Sequence, residues 1–473
     1  MIVAREKEIA TLQKAACSER SEFIAVYGRR RIGKTYLVRE VFDYRFTFQH
    51  SGIANKPREE QLYAFSASLK EYGLQPQVPP TNWLEAFELL KDLLRSSVEK
   101  KKVIFIDELS WMDTPNCDLI AALESFWNGW ASARKDILLI VCASATSWMM
   151  KKVIHAHGGL YNRLTGRIAL KPFTLHECEQ FKEAYSLPFS RDQLIETYMI
   201  MGGVPYYWSL LDRKWGVARN VDELFFADNA PLQQEFDYLF SSLFRSPDVY
   251  ANVIEILGTK KTGMEFSEIS GMLQSNQGGK LTRVLQDLEN CGFIRAYKPF
   301  GKKKRGTLYQ LIDSFVLFYY RFLADRPSDP EFWTHQYGSP LINSWRGIAF
   351  ERVCLWHVPQ IKKALGISGI YTEVCSWQCK ADSERGIKGA QIDLIIDRAD
   401  RMLNLCEMKY SSGVFTIDKD CENSLRTKMD SFRLATKTTK GIQLTMVTTH
   451  GIVKNSHSGI VHCCVTADDL FDE

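Results

Sequence analysis

The sequence predicts α/β structure at both ends of the chain and a helical middle. Three stretches carry that expectation. Tyr27-Gly28-Arg29-Arg30-Arg31-Ile32-Gly33-Lys34-Thr35 joins an apolar run to a helical one. Val103-Ile104-Phe105-Ile106-Asp107-Glu108 is an apolar run that ends in two acids. Toward the C-terminus, Gln391–Asp397 and Leu403–Lys409 read as two strands bearing charged residues.

The first stretch fits the phosphate-binding pattern G-x-x-x-x-G-K-[ST] at every fixed position. Phe23–Tyr27 before it reads as a buried parallel strand, and Tyr36–Phe42 after it as a helix start. Gly28 and Gly33 let the backbone bend so that successive N–H groups point at a polyphosphate. The helix N-terminus adds partial positive charge. Candidate nucleotide contacts therefore run through Gly28, Arg29, Arg30, Arg31, Ile32, Gly33, Lys34, Thr35 and Tyr36. In this pattern Lys34 reaches the β- and γ-phosphates, and the Thr35 hydroxyl ligates Mg²⁺. ATP and Mg²⁺ are the cofactors this chemistry calls for.

The 473 residues are enough for about three domains at roughly 150 residues each. With 45% hydrophobic and 25% charged residues, the composition is that of a globular protein. The net charge of +4 announces no global nucleic-acid field, so any basic patch is local. The charged N-terminus lacks the apolar core of a signal peptide. The apolar run from Ile137 to Ala145 is too short to span a membrane. These features predict a cytoplasmic chain with no membrane partner. The 12 cysteines are scattered, which suits reduced thiols. Cys375, Cys379, Cys463 and Cys464 lack zinc-ribbon spacing and read as buried structural residues.

Along the chain, Arg5–Ala16 reads as an amphipathic helix and Tyr44–Phe48 as a strand. Arg58–Glu71 and Trp83–Val98 read as helices, the second with Leu84, Phe87, Leu90 and Leu94 at helical spacing. The run ending at Asp107 and Glu108 is the second half of a hydrolytic site, because strand C-terminal ends line the ligand crevice. Asp107 would hold the Mg²⁺ shell and Glu108 would polarise the attacking water. Ile137–Cys142 is a third buried strand. It leads to a hydroxyl cluster in which Ser144 is placed to sense a γ-phosphate.

The Gly28 loop, the Asp107-Glu108 pair and the Ser144 turn resemble an AAA+/STAND-type P-loop ATPase. Leu160-Tyr161-Asn162-Arg163-Leu164-Thr165-Gly166-Arg167 and Gly202-Gly203-Val204-Pro205-Tyr206 extend the resemblance. It is strongest to the prokaryotic ATPases named from archaea, with a nuclease-like C-terminal domain. The resemblance implies that Arg163 or Arg167 approaches the γ-phosphate, and that Pro205 marks a helical lid.

From Val249 to Ile312 the texture changes. Helical runs at Tyr250–Leu257, Phe266–Leu273 and Lys280–Asn290 precede two strand-like runs, Phe293–Tyr297 and Thr307–Leu311. A polar turn, Gln274–Gly279, separates the second and third helices. Leu281, Val284, Leu285 and Leu288 form one apolar stripe. The hairpin tip is Gly301-Lys302-Lys303-Lys304-Arg305-Gly306. Three helices and a basic-tipped hairpin read as a winged helix-turn-helix. Ten Lys/Arg against six Asp/Glu over residues 247–312 give a local excess of +4. Lys280, Arg283 and the tip are the candidate nucleic-acid contacts, DNA foremost.

In the last third, Glu407 and Lys409 share one strand face. Thirteen residues separate Asp393 from Glu407, enough for a turn between antiparallel neighbours. With Glu351 in the helix opened by Trp345, this set resembles the PD-(D/E)xK nuclease core. The resemblance implies that Glu351, Asp393 and Glu407 bind metal, and that Lys409 orients water or stabilises a pentavalent phosphate.

The expected organisation is a P-loop ATPase core over residues 1–170 and a helical lid over 171–245. A winged helix-turn-helix over 246–313, a linker over 314–340 and a nuclease-like domain over 341–473 follow. The expected function is an ATP-dependent switch acting on nucleic acid through the winged helix and the C-terminal domain. A second reading is a nucleotide-dependent signalling or assembly scaffold, whose inactive nuclease-like domain binds a protein partner. A homo-oligomer is left open.

Overall fold

The computed structural model describes residues 2–155, 160, 162–244, 246–273, 278–302 and 306–473. Tyr161, the turn residues 274–277 and the tip residues Lys303, Lys304 and Arg305 lie outside the described residues. The chain divides into two compact units. One comprises Met1–Pro172 with Leu239–Pro247, the other Phe173–Tyr238 with Asp248–Glu473.

The first unit is built on a parallel sheet of β1 (Glu22–Tyr27), β2 (Phe48–Ser51), β3 (Lys102–Asp107), β4 (Ile137–Ala143) and β5 (Gly166–Ala169), in the order β2-β3-β4-β1-β5. Every pairing is parallel. Because side chains alternate across a strand, one sheet feeds two cores. Phe23, Ala25, Ile104, Ile106, Leu139 and Val141 face one side, packed with Phe65, Phe87 and Leu90. Ile24, Val26, Phe105, Leu138 and Ile140 face the other, packed with Leu12 and Leu37. The helices supplying these residues are α1 (Glu6–Ala16), α2 (Lys34–Val41), α3 (Arg58–Glu71) and α4 (Trp83–Ser96). The Asn82 side chain accepts from the Glu85 N–H and starts α4.

One strand differs from the sequence expectation. β2 begins at Phe48, whereas the sequence pattern predicts a strand over Tyr44–Phe48. Asp43 and Tyr44 adopt φ values of 49° and 58°, and the Tyr44 N–H bonds the Arg39 carbonyl. This left-handed turn ends α2 and delays the strand.

In the second unit, the helices Pro247–Gly258, Phe266–Met272 and Gly278–Asn290 precede a small antiparallel sheet. Its strands are β6 (Met264–Glu265), β7 (Ile294–Tyr297) and β8 (Leu308–Leu311), ordered β6-β8-β7. Leu281, Val284, Leu285 and Leu288 are all buried. Gly292, at φ 75°, turns the chain out of the helix.

The C-terminal sheet runs β13-β12-β11-β10-β9, where β9 is Thr372–Cys379, β10 Ala390–Arg398, β11 Met402–Lys409, β12 Gly441–Thr448 and β13 Cys463–Thr466. β9, β10 and β11 are antiparallel, while β11, β12 and β13 are parallel. The helix Lys419–Thr436 makes the crossover to β12 and covers one face through Leu425, Met429 and Phe432. After β7 the chain continues onto this sheet. The Phe300 N–H bonds the Ser376 carbonyl at 2.7 Å, and the Phe300 ring lies 5.0 Å from that of Phe432.

The cysteines expected to be buried are not. Cys375, Cys379 and Cys463 are half-buried and Cys464 is exposed, all as free thiols. They sit on β9 and β13, the outer strands of the sheet, where one flank has no neighbouring strand.

Candidate functional site

Strand order brings the first site together. β4 lies between β1 and β3, so its C-terminal end separates the glycine loop from the acidic pair. Ser144, just past β4, touches both sides. The Lys34 ammonium donates to the Ser144 hydroxyl at 3.0 Å and to the Arg29 carbonyl at 2.9 Å. The Ser144 hydroxyl donates to the Glu108 carboxylate, whose other oxygen accepts the Ser144 N–H at 3.2 Å. The Thr35 hydroxyl donates to the Asp107 carboxylate at 2.6 Å. Lys34, Asp107 and Ser144 are buried.

The backbone geometry accounts for the sequence here. Gly28 has φ 145°, and a Cβ there would lie 2.3 Å from the Leu170 carbonyl oxygen and 2.5 Å from Ile32 Cδ1. Only glycine fits against that neighbour. Gly33 and Arg31 also take positive φ, at 85° and 69°. Glu108 is itself held at φ 47°, a local strain that turns its side chain toward Ser144. Arg29 and Ile32 are buried, Arg30 is exposed, and Tyr36 is 42% exposed beside the loop.

Arg163, Arg167 and Pro205 stand on other elements. Arg163 is exposed and precedes β5, and the nearby Thr165 N–H bonds the Phe23 carbonyl at the start of β1. Because β5 runs parallel to β1, this is the sheet edge opposite the glycine loop. Arg167 is exposed and pairs with Ala25, mid-strand. The structure therefore does not bring Arg163 to Lys34 within the chain. Pro205 belongs to the second unit, where it opens the short helix Pro205–Trp208. A Cβ on the neighbouring Gly203 would lie 1.9 Å from the Phe173 carbonyl oxygen, so that turn requires glycine.

The fold and this site define a P-loop nucleotide hydrolase. Residues 2–211 match a family model described as an ATPase domain predominantly from Archaea. A relative named uncharacterized protein MJECL04, from Methanocaldococcus jannaschii, is 26% identical over 427 residues, spanning 87% of this chain and 88% of its own. Among solved structures, the Walker-type ATPase PABY2304 of Pyrococcus abyssi shares 16% identity with a TM-score of 0.48, covering 68% of this chain and 96% of its own. The ORC2 protein of Aeropyrum pernix shares 13% identity with a TM-score of 0.40, covering 76% and 96%. Among the described residues, no helix is long and apolar enough to cross a membrane.

The second candidate site lies on the C-terminal sheet. Leu394 pairs with Cys406, and continuing that register by one residue sets Asp393 opposite Glu407. A shift in the β9 pairing between Ile392 and Ile395 puts a bulge at Asp393, a device that re-aims side chains. Glu407 lies between two ammonium groups, Lys428 at 2.6 Å and Lys409 at 3.0 Å. Burial opposes its ionisation, but the two lysines outweigh that and hold the carboxyl below its ordinary value. Asp393 accepts from the Gln391 amide at 2.5 Å. Glu351 is bound by Lys261 at 2.8 Å. Burial, and then the Asp393 charge, push the Glu351 carboxyl up despite that lysine.

The four residues thus share one region, but each carboxylate is already engaged. Among the described residues, no three His, Cys, Asp or Glu side chains gather into a metal-binding group. The present donor arrangement does not fit a metal shared by Glu351, Asp393 and Glu407, because lysines occupy Glu407 and Glu351. Sequence reading missed Gln391, Lys428 and Lys261. Gln391 was legible, since it stands two residues from Asp393 on one strand face. Lys428 and Lys261 come from distant segments with no local signal.

Proposed function

We propose that the chain is an ATP-dependent switch in which nucleotide turnover at the Lys34 site governs nucleic-acid binding by the second unit. The convergence of Lys34, Ser144 and Glu108 carries this reading. Lys34 neutralises the β- and γ-phosphates, and the Gly28–Gly33 backbone cradles them. Thr35 and Asp107 offer adjacent hard oxygen donors that suit Mg²⁺, which supplies charge neutralisation when bound. Glu108, held by Ser144, polarises the attacking water. Arg163, exposed and away from this cluster, acts from one copy of the chain on a neighbour's site in a homo-oligomer.

The helical module over residues 246–313 is read as a winged helix that meets DNA through Lys280, Arg283 and its basic tip. The C-terminal domain is read as nuclease-like, supported by Asp393 opposite Glu407 with Lys409 alongside. The deciding experiment is a binding and cleavage assay on DNA and RNA with Mg²⁺ or Mn²⁺, with and without ATP. Binding that ignores ATP, in a chain that hydrolyses it, would refute the coupling. The scaffold reading has one observation in its favour: two lysines already neutralise Glu407. Cleavage that is lost in Asp393→Asn would decide against it.

A further inference from the structure

A pocket of about 550 Å³ opens between β9, β10 and the helix Lys419–Thr436. Its walls include Gln378, Gln391, Asn423, Ser424, Thr427 and Lys428. Two of these residues are also the partners of the carboxylate pair. Gln391 donates to Asp393, and Lys428 donates to Glu407. A molecule in the pocket that touches Gln391 and Lys428 is therefore one hydrogen bond from both carboxylates.

The wall chemistry narrows the ligand. Three primary amides and two hydroxyls offer donors and acceptors in similar number, the mixture that a nucleobase edge presents. No carboxylate lines the pocket itself. Lys428 on the wall and the nearby Lys409 both contact Glu407, so two ammonium groups stand where a phosphate could meet them. The volume lies in the range of small-ligand sites. In a duplex the bases are stacked and paired, whereas a single strand can splay a base outward.

We propose that this pocket takes one unpaired base of a single-stranded nucleic acid and sets the adjoining phosphate against Lys428 and Lys409. Gln391 and Asn423 read the base edge, and Ser424 and Thr427 line the opening. The proposal rests on the nucleic-acid reading above and adds the strand state of the substrate to it.

The test uses the full chain, fluorescein-labelled oligothymidylate and a blunt DNA duplex, with fluorescence anisotropy in EDTA so that metal-dependent cleavage does not interfere. The parent is expected to bind the single strand about tenfold more tightly than the duplex. Ser424 is exposed, so Ser424→Trp fills the pocket without disturbing the core. It should weaken single-strand binding by about tenfold, the scale of one lost base contact, and leave duplex binding unchanged. Asn423→Leu, which removes an amide from another exposed position, should weaken the single strand in the same direction. If the parent binds the single strand and both variants bind it equally well, the pocket assignment is overturned while the nucleic-acid reading stands. Duplex preferred over single strand by the parent also overturns the proposal. If the parent binds neither probe, the nucleic-acid reading falls and takes the pocket with it.

Discussion

The Lys34 ammonium lies 3.0 Å from the Ser144 hydroxyl, which in turn donates its proton to Glu108. One hydroxyl thus connects the group that neutralises phosphate to the group that polarises water. Lys34→Ala should abolish nucleotide binding. Glu108→Gln should retain binding and slow turnover by about a hundredfold, within the usual range for a lost general base. Ser144→Ala should keep binding within about twofold and slow turnover by about tenfold, because Glu108 loses its fixed position. Steady-state phosphate release and fluorescent-nucleotide titration measure both quantities. Unchanged rates in Lys34→Ala and Glu108→Gln would refute the site assignment.

The hairpin tip gives a second expectation. Changing Lys302, Lys303, Lys304 and Arg305 together to Ala should weaken duplex binding and flatten its salt dependence. Each lost phosphate contact lowers the log–log salt slope by about 0.9. An unchanged slope would mean that the tip meets no phosphate.

A third expectation separates metal binding from fold at the C-terminal site. In a Lys34→Ala background, which silences the first site, Mn²⁺ should leave the unfolding temperature of the chain unchanged, because lysines hold Glu351 and Glu407. A Mn²⁺-dependent rise that Asp393→Asn abolishes would show that the lysines yield to a metal and would overturn this expectation. Differential scanning fluorimetry reads the shifts.

A fourth concerns acid. His357 accepts the Leu175 N–H at its Nε2, so its Nδ1 carries the proton and donates to the Val353 carbonyl. Burial pushes this imidazole down to about 4, against the Val353 bond that favours the charged form. Burial likewise pushes His50 down to about 4. A histidine depressed in this way adds stability that is complete above 6.5, its ordinary value, and is lost as the pH falls toward 4. Each contributes on the order of 3 kcal/mol across that window. Chemical denaturation at pH 7.5 and pH 4.5 should show the loss, and His357→Gln should shrink the difference between the two pH values. A variant with the parent's pH dependence would show that His357 does not drive it.

Much of the first site was legible because its chemistry is contiguous. The glycine loop, the acids at the end of β3 and the hydroxyl after β4 each announce themselves within a few residues. Where Arg163 falls is set by topology. Its position depends on β5 joining the sheet beside β1 in parallel, and no local pattern reveals strand order. The C-terminal site shows the same limit. Asp393, Glu407, Lys409 and Gln391 follow from strand alternation, but the lysine partners of the carboxylates do not. Lys428 arrives from a helix and Lys261 from a loop some ninety residues before Glu351, so only the folded chain shows that these carboxylates are already paired.

Phe300 has a mechanical consequence. Its ring sits against Phe432 and its amide is pinned to Ser376, so the segment between β7 and β8 is tethered to the edge of the C-terminal sheet. Phe300 and Ser376 thus join the residues after β7 to β9, the strand that pairs with β10 on either side of the irregularity between Ile392 and Ile395.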